Sequence, residues 1–191
     1  MMQKHTILDQ SFFNRDALDV ARNLLGKYLV RSSTAWIRDG SSSLLTTSGA
    51  PIALLINEVE AYVGPHDLAC HARVGKTART EVMFGPPGHI YVYLIYGMYW
   101  MLNIVTRPEN YPSAILIRGV GMFDGPGKLT KKLAIDQTFN KKILAPETGL
   151  WVEDRGVIVR DHEILTTPRI GVDYAGPIWS QKPYRFVLNK H

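Results

Sequence analysis

Cysteine is nearly absent. Cys70 is the single one in 191 residues, so no internal disulfide can form and a reducing compartment suits the chain. A lone thiol reads first as a small buried residue and only weakly as a nucleophile. Long apolar runs are missing as well. No segment reaches the roughly 18 apolar residues of a membrane span, and the opening MMQKHTILDQSFF lacks the unbroken apolar stretch of a signal peptide. A soluble intracellular protein without membrane contact is expected. Metal-binding patterns are lacking: His66 and His71 lie five apart in a loop, with no carboxylate or cysteine cluster at ligand spacing, so no metal is expected. The tract GPGK (Gly125 to Lys128) is too short for a nucleotide-binding glycine loop. Repeats and long linkers are absent too.

What is present fits one globular domain over residues 1–191. Hydrophobic residues make up 46% and charged residues 20%, which excludes disorder as the default reading. A net charge of +5 with a pI near 9.3 suits a polyanionic partner without requiring one. NRDALDVARNLLG places Ala17, Val20, Ala21, Leu24 and Leu25 at helical spacing, with Asn14 or Asp16 as its cap and Gly26 as its end. KYLVRSS, IALLINEVEAYVG, GLWVED, GVIVRD and YRFVLN read as strands, and GKLTKKLAI as a short basic helix after the turn Gly125-Pro126-Gly127. Arg38 to Pro51 reads as a mobile loop between two strands. Strands outnumber helices and seldom alternate with them. The expected fold is mixed α/β of the α+β kind, a curved, largely antiparallel sheet surrounded by helices.

Three stretches carry chemistry. Along the strand Ile52 to Val63, alternation puts Glu58, Glu60 and Tyr62 on one face and Asn57, Val59, Ala61 and Val63 on the other. From spacing alone the glutamates read most simply as a solvated polar face. Burying two carboxylates would demand cations or hydrogen bonds nearby, and Tyr62 beside them favours a cleft. In HDLACHARVGKTART, three cations (Arg73, Lys76 and Arg79) share one loop, suited either to phosphate contacts or to plain solvation. The stretch YVYLIYGMYWMLNIV reads as a hairpin whose tip is Tyr96-Gly97-Met98-Tyr99. Hairpin tips are normally small and polar. On its first strand Tyr91 and Tyr93 share a face, fit either to close a core or to stack on a planar ligand. An exposed apolar wedge beside a basic loop and a pocket carboxylate points to base flipping, the wedge filling the gap left by an extruded nucleotide.

EVEAYVGPHDLACHAR, VMFGPPGHIYVYLIYGMYWMLNIVT, AILIRG and GPGKLTKKLAI, in this order and spacing from about Glu58 to Ile135, closely resemble the alkyladenine (mammalian-type 3-methyladenine) DNA glycosylases. The early helix and RIGVDYAGPIWSQKPYRFV extend the likeness over nearly the whole chain. The resemblance implies a monofunctional enzyme that flips damaged purines from duplex DNA and hydrolyses the N-glycosidic bond without metal or cofactor. It also implies a monomer with no obligate protein partner, cytoplasmic and nucleoid-associated in a bacterium or nuclear in a eukaryote.

By the same resemblance, Glu60 is the base that activates water and Arg118 its partner. Tyr62 and Tyr93 sandwich the flipped base, and His71 closes the pocket, hydrogen-bonded to Tyr91. Tyr96 intercalates, flanked by Met98 and Tyr99. Asn103 crowds the purine 2-position, and Lys128 contacts phosphate, whereas the phosphate reading of Arg73, Lys76 and Arg79 rests on their own loop. Two departures stand out: Ala78 and Thr80 replace an expected proline and asparagine, and DGSSSLLTTSG has no counterpart. A purine alkylated like 3-methyladenine is already cationic and leaves without a general acid, so an ionised carboxylate suffices, with Arg118 nearby to keep it charged. No lysine is placed for a Schiff base. The rival classes are a non-catalytic nucleic-acid-binding module, which would not need Glu60, and a hydrolase of free nucleosides, which would not need the wedge.

Overall fold

A computed structural model describes residues 5–32 and 50–189. The expected loop lies for the most part outside them, in residues 38–49. In chain order the elements are β1 (Thr6–Ile7), α1 (Gln10–Phe13), α2 (Ala17–Leu24), β2 (Tyr28–Arg31), β3 (Ile52–Tyr62), β4 (Ile90–Ile95), β5 (Tyr99–Val105), β6 (Ala114–Val120), β7 (Phe123–Asp124), α3 (Pro126–Lys132), β8 (Leu150–Asp154), β9 (Ile164–Thr167), α4 (Gly176–Ser180) and β10 (Arg185–Leu188). No helix among the described residues is long and apolar enough to cross a membrane.

The sheet runs β1-β8-β2-β3-β6-β5-β4, with β10 also on β3, β9 on β10 and β7 on β6. The pairings are antiparallel. Strand β3 is its spine and changes neighbours along its length. Ile52–Leu55 pair with β2, Glu58–Glu60 pair with β10, and the opposite edge pairs with β6 from Ile56 to Tyr62. A strand shared in this way bends, and the sheet curves into a half-barrel.

The bend has a local signature. Opposite β6, the register passes from Ile56↔Val120 to Glu58↔Gly119 and then to Val59↔Ile117. Asn57 is therefore one extra residue in β3, and Arg118 one extra residue in β6, two bulges that cancel. Strict alternation from Ile52 breaks at Asn57, which is why Ile56 and Val59 both reach the core. Asn57 therefore does not continue the face of Val59 and Ala61, where alternation placed it; its amide donates to the Gly121 carbonyl at 2.7 Å.

Helix α2 lays Ala17, Val20, Ala21 and Leu24 against Ile56, Val59 and Ala61 of β3 and Ile115 and Ile117 of β6, all buried. Of the two candidate caps, Asp16 is the one used, accepting from the Leu18 N–H at 2.8 Å. Gly26 follows with φ +81°, a left-handed angle that glycine adopts without strain. Its N–H donates to the Ile56 carbonyl at 3.0 Å, so the end of α2 is tied to β3.

Two sequence expectations are corrected. GVIVRD is not a strand: the Val157 and Val159 side chains lie over Gly26, Val159 is half-buried, and Val157 and Ile158 are exposed. The strand that pairs with β10 is the less apolar Ile164–Thr167. The turn Gly125-Pro126-Gly127 does not precede α3 but runs into it. Pro126 opens the helix, where its missing N–H removes nothing.

Candidate active site

A cavity of about 280 Å³ opens between the β4–β5 hairpin, the β3–β6 surface and the segment from Ile170 to Tyr174. Tyr62, His71, Tyr91, Tyr93, Asn103 and Arg118 all line it. With Arg79 and Tyr96, which also line it, the sequence thus nominated eight of its lining residues.

Glu60 lies beneath these walls and is fully buried. Its Oε2 accepts from the Tyr62 hydroxyl at 3.0 Å, its Oε1 accepts from the Ile170 N–H at 2.8 Å, and Arg118 Nη1 stands 3.4 Å from Oε1. The solvated-face reading is overturned, since Glu58 is buried as well. Burial pushes the Glu60 carboxyl above its ordinary value. Arg118, the Ile170 amide, the Tyr62 hydroxyl and Arg169 pull it back without cancelling that rise. Arg118 therefore favours the ionised form as expected, but it does not outweigh desolvation.

Glu58 behaves oppositely. Burial would raise its carboxyl, but Arg185 Nε at 2.7 Å and Arg118 Nε at 2.8 Å both donate to Oε1, and the balance falls below the usual value. Its charge is firmly held.

The histidine and tyrosines form one aromatic wall. His71 Nδ1 and the Tyr91 hydroxyl share a hydrogen bond at 3.0 Å, and the His71 ring meets Tyr93 edge-on with centroids 4.6 Å apart. Burial, together with Arg79 and Arg73, lowers His71 to about 4, so its imidazole is neutral at physiological pH. Desolvation raises the Tyr62 and Tyr93 phenols, and both stay protonated donors. At the far end the Asn103 Nδ2 donates to the carbonyls of Tyr91 (3.2 Å) and Met101 (3.3 Å). Only an N–H satisfies a carbonyl, so these bonds fix which way the amide points.

The rim holds the other nominated residues. The loop Tyr96-Gly97-Met98 joins β4 to β5, with φ of 53° at Tyr96 and 69° at Gly97. Tyr96 is 81% exposed, Met98 64% and Tyr99 48%. Tyr96 also borders the cavity. The Tyr99 ring lies on Gly127 so closely that a Cβ there would sit 2.6 Å from it, which ties the hairpin to the start of α3. Lys76 and Lys128 project into solvent. The Arg79 guanidinium lies over the Tyr93 ring at 5.0 Å, and that of Arg73 lies 6.0 Å from the Tyr174 ring, so each has an aromatic neighbour besides any phosphate. Cys70 is buried, and desolvation lifts its thiol to about 11, which leaves it inert.

Sequence reasoning missed Asp67, Arg169 and Ile170. Arg169 Nη1 and Nη2 grip Asp67 Oδ2 and Oδ1 at 2.6 and 2.9 Å, and the Arg169 guanidinium also lies 4.7 Å over the Tyr62 ring. Both partners of this ion pair are shielded completely from solvent. The clamp sets the residue before Ile170, whose amide in turn holds Glu60.

A family model described as Methylpurine-DNA glycosylase matches residues 11–124 and 120–191. Three similar proteins each carry the name "Putative 3-methyladenine DNA glycosylase". That of Methanocella arvoryzae is 41% identical, over 94% of this chain and 91% of its own. That of Sodalis glossinidius is 43% identical, over 97% and 98%. That of Legionella pneumophila strain Lens is 42% identical, over 95% and 93%.

Proposed function

The chain belongs to the methylpurine-DNA glycosylase family, enzymes that hydrolyse N-glycosyl bonds in DNA, and from this premise we propose that it excises alkylated purines of the 3-methyladenine type by base flipping. Hypoxanthine and ethenoadenine fall within the same proposal. The observation that carries it is Glu60: a fully buried carboxylate held by donors from two elements, directly behind aromatic walls enclosing about 280 Å³. That is ample room for one planar base.

The extruded purine lies between Tyr62 and Tyr93, whose ring faces attract a cation. Neutral His71 adds no charge to repel it. Asn103 meets the purine 2-position and disfavours guanine. Glu60 takes a proton from water while the oxygen bonds to the sugar anomeric carbon. The C–N bond breaks, and its electron pair leaves with the purine, neutralising the charge that alkylation put there. For such a cationic purine no general acid is needed, whereas neutral hypoxanthine or ethenoadenine must also take up a proton as it leaves. A carboxylate offers about four lone-pair sites, so the bonds from Tyr62 and Ile170 leave room for the water. Because burial makes Glu60 more basic than an exposed carboxylate, it is better matched to proton abstraction near neutral pH. Its negative charge also stabilises the oxocarbenium-like sugar. Tyr96 fills the vacated stack, with Met98 and Tyr99 beside it. Arg73, Lys76, Arg79 and Lys128 meet phosphates, and the enzyme works as a monomer.

The test is release of free base from methylated duplex DNA, compared with matched free nucleosides. Duplex should be the strongly preferred substrate. Glu60→Gln should lower release by on the order of a hundredfold or more, while binding to an abasic analogue stays near normal. Near-normal release by that variant would overturn the assignment of the base.

A further inference from the structure

Glu58 has no part in the mechanism above, yet it is buried and bound by two guanidinium groups. We infer that Glu58 is a positioning residue: clamped to Arg185, it holds the Arg118 guanidinium at its working distance from Glu60. The inference rests on the reading of Glu60 as the base.

The geometry around Arg118 is unequal. Its Nε donates to Glu58 Oε1 at 2.8 Å, whereas its Nη1 is 3.4 Å from Glu60 Oε1, too long for a strong hydrogen bond. Glu58 is therefore the anchor and Glu60 the group acted upon. Arg118 needs an anchor, because it is the extra residue of the β6 bulge and has no Cα partner on β3. Bulges beside active sites commonly re-aim a side chain in this way. The anchor is itself anchored. Arg185 Nε donates to the same Glu58 oxygen at 2.7 Å, and its Nη1 donates to Thr167 Oγ1 at 3.1 Å on β9. Room for Glu58 comes from Gly119, where a Cβ would stand 3.0 Å from that of Glu58 and 2.5 Å from Asn57 Oδ1.

The groups facing Glu60 fix the sign of each change. They are Tyr62 and Glu58 on its own strand, Arg118 on β6, Arg185 opposite it on β10, Tyr93 on β4, and the Ile170 amide with Arg169, itself neutralised by Asp67. Glu58→Gln removes a like charge and frees Arg118 to pair fully with Glu60. Both changes make Glu60 more acidic. Arg185→Gln leaves Glu58 with Arg118 alone, drawing that guanidinium away, so Glu60 becomes less acidic.

The experiment is a pair of pH titrations on wild type, Glu58→Gln and Arg185→Gln: single-turnover base release, and carboxyl NMR of Glu60. The acid limb of the rate, where activity is lost as Glu60 protonates, should move down by about one unit in Glu58→Gln and up in Arg185→Gln. Plateau rates should fall about ten- to a hundredfold in Glu58→Gln. Opposite shifts support the inference. Unmoved limbs in folded variants overturn it, as do shifts of the same sign, which would mean general loosening. If Glu58→Gln does not fold, Arg185→Gln decides alone: an upward shift supports the inference and no shift overturns it. If wild type releases no base, the proposed function fails, while the NMR titration still decides the role of Glu58.

Discussion

The floor of the site and the tip of the hairpin invert the ordinary distribution of residues in opposite directions. On the floor, Glu58, Glu60, Asp67 and Arg169 are charged groups nearly without solvent; at the tip, Tyr96, Met98 and Tyr99 are apolar groups surrounded by it. Isolated buried charges are costly, and contiguous exposed apolar surface usually marks an interface. The difference lies in where each finds its complement. Every floor carboxylate meets a guanidinium of the same chain. Of the tip residues, Tyr99 leans on Gly127, while Tyr96 stands largely clear. The floor is finished by folding; the tip, on the proposed function, is left for DNA to complete.

Substitutions that expose this asymmetry differ in size. The largest effect on the fold should come from Arg169→Ala, which strands Asp67 as an uncompensated buried charge. Breaking such a pair costs about 3–5 kcal/mol, read as a loss of unfolding free energy in denaturant. Replacing both partners by apolar residues should recover much of that loss. A single replacement without a stability cost would break the comparison, because the floor would then not depend on internal pairing.

Tyr96→Ser should do the reverse. Melting temperature should stay within error, while lesion binding weakens by the roughly 1–3 kcal/mol that stacking contributes, and single-turnover excision falls. The defect should shrink opposite a mismatch, where flipping already costs less. Unfolding of this variant, with unchanged excision per folded molecule, would make the tip part of the core.

The smallest effects belong to the rim cations. Affinity for undamaged duplex should fall linearly with salt on a log–log plot, and Lys76→Ala or Lys128→Ala should each lessen the slope by about one unit. Arg79→Ala should change the slope less, because its guanidinium already rests on Tyr93. Equal slopes for all these variants would reduce the cations to solvated charges.

The elements most legible in the sequence are those governed by local periodicity. Helix α2, the long strand β3 and the Tyr91–Val105 hairpin all appear where their patterns place them. From Glu58 onward, period-two alternation put both glutamates and Tyr62 on one face, and three tight contacts unite them with Arg118 and Ile170. What stayed hidden was non-local. Asp67 and Arg169 are 102 residues apart, and nothing near either announces the other, although RIGVDYAGPIW belonged to the stretch that carried the family likeness. The Asn57 and Arg118 bulges were illegible because each depends on the register of the partner strand. The amide that holds Glu60 is a backbone group, and sequence patterns do not display those. GVIVRD misled because a run of β-branched residues also suits a cover over a turn.

The left-handed angles at Tyr96 and Gly97 bear on how such a protein searches. A turn whose backbone is already set in this conformation points its ring outward before any ligand arrives, so less ordering entropy is lost at each encounter. Proteins held to the phosphate backbone mainly by charge slide and hop along it. For a sliding molecule carrying a preformed wedge, the dwell at each step is governed by how readily the stack opens. Weakly paired or distorted steps would then slow the protein before the pocket has selected any base. On the proposed function the hairpin would thus act as a stiffness gauge, with chemical identity read second.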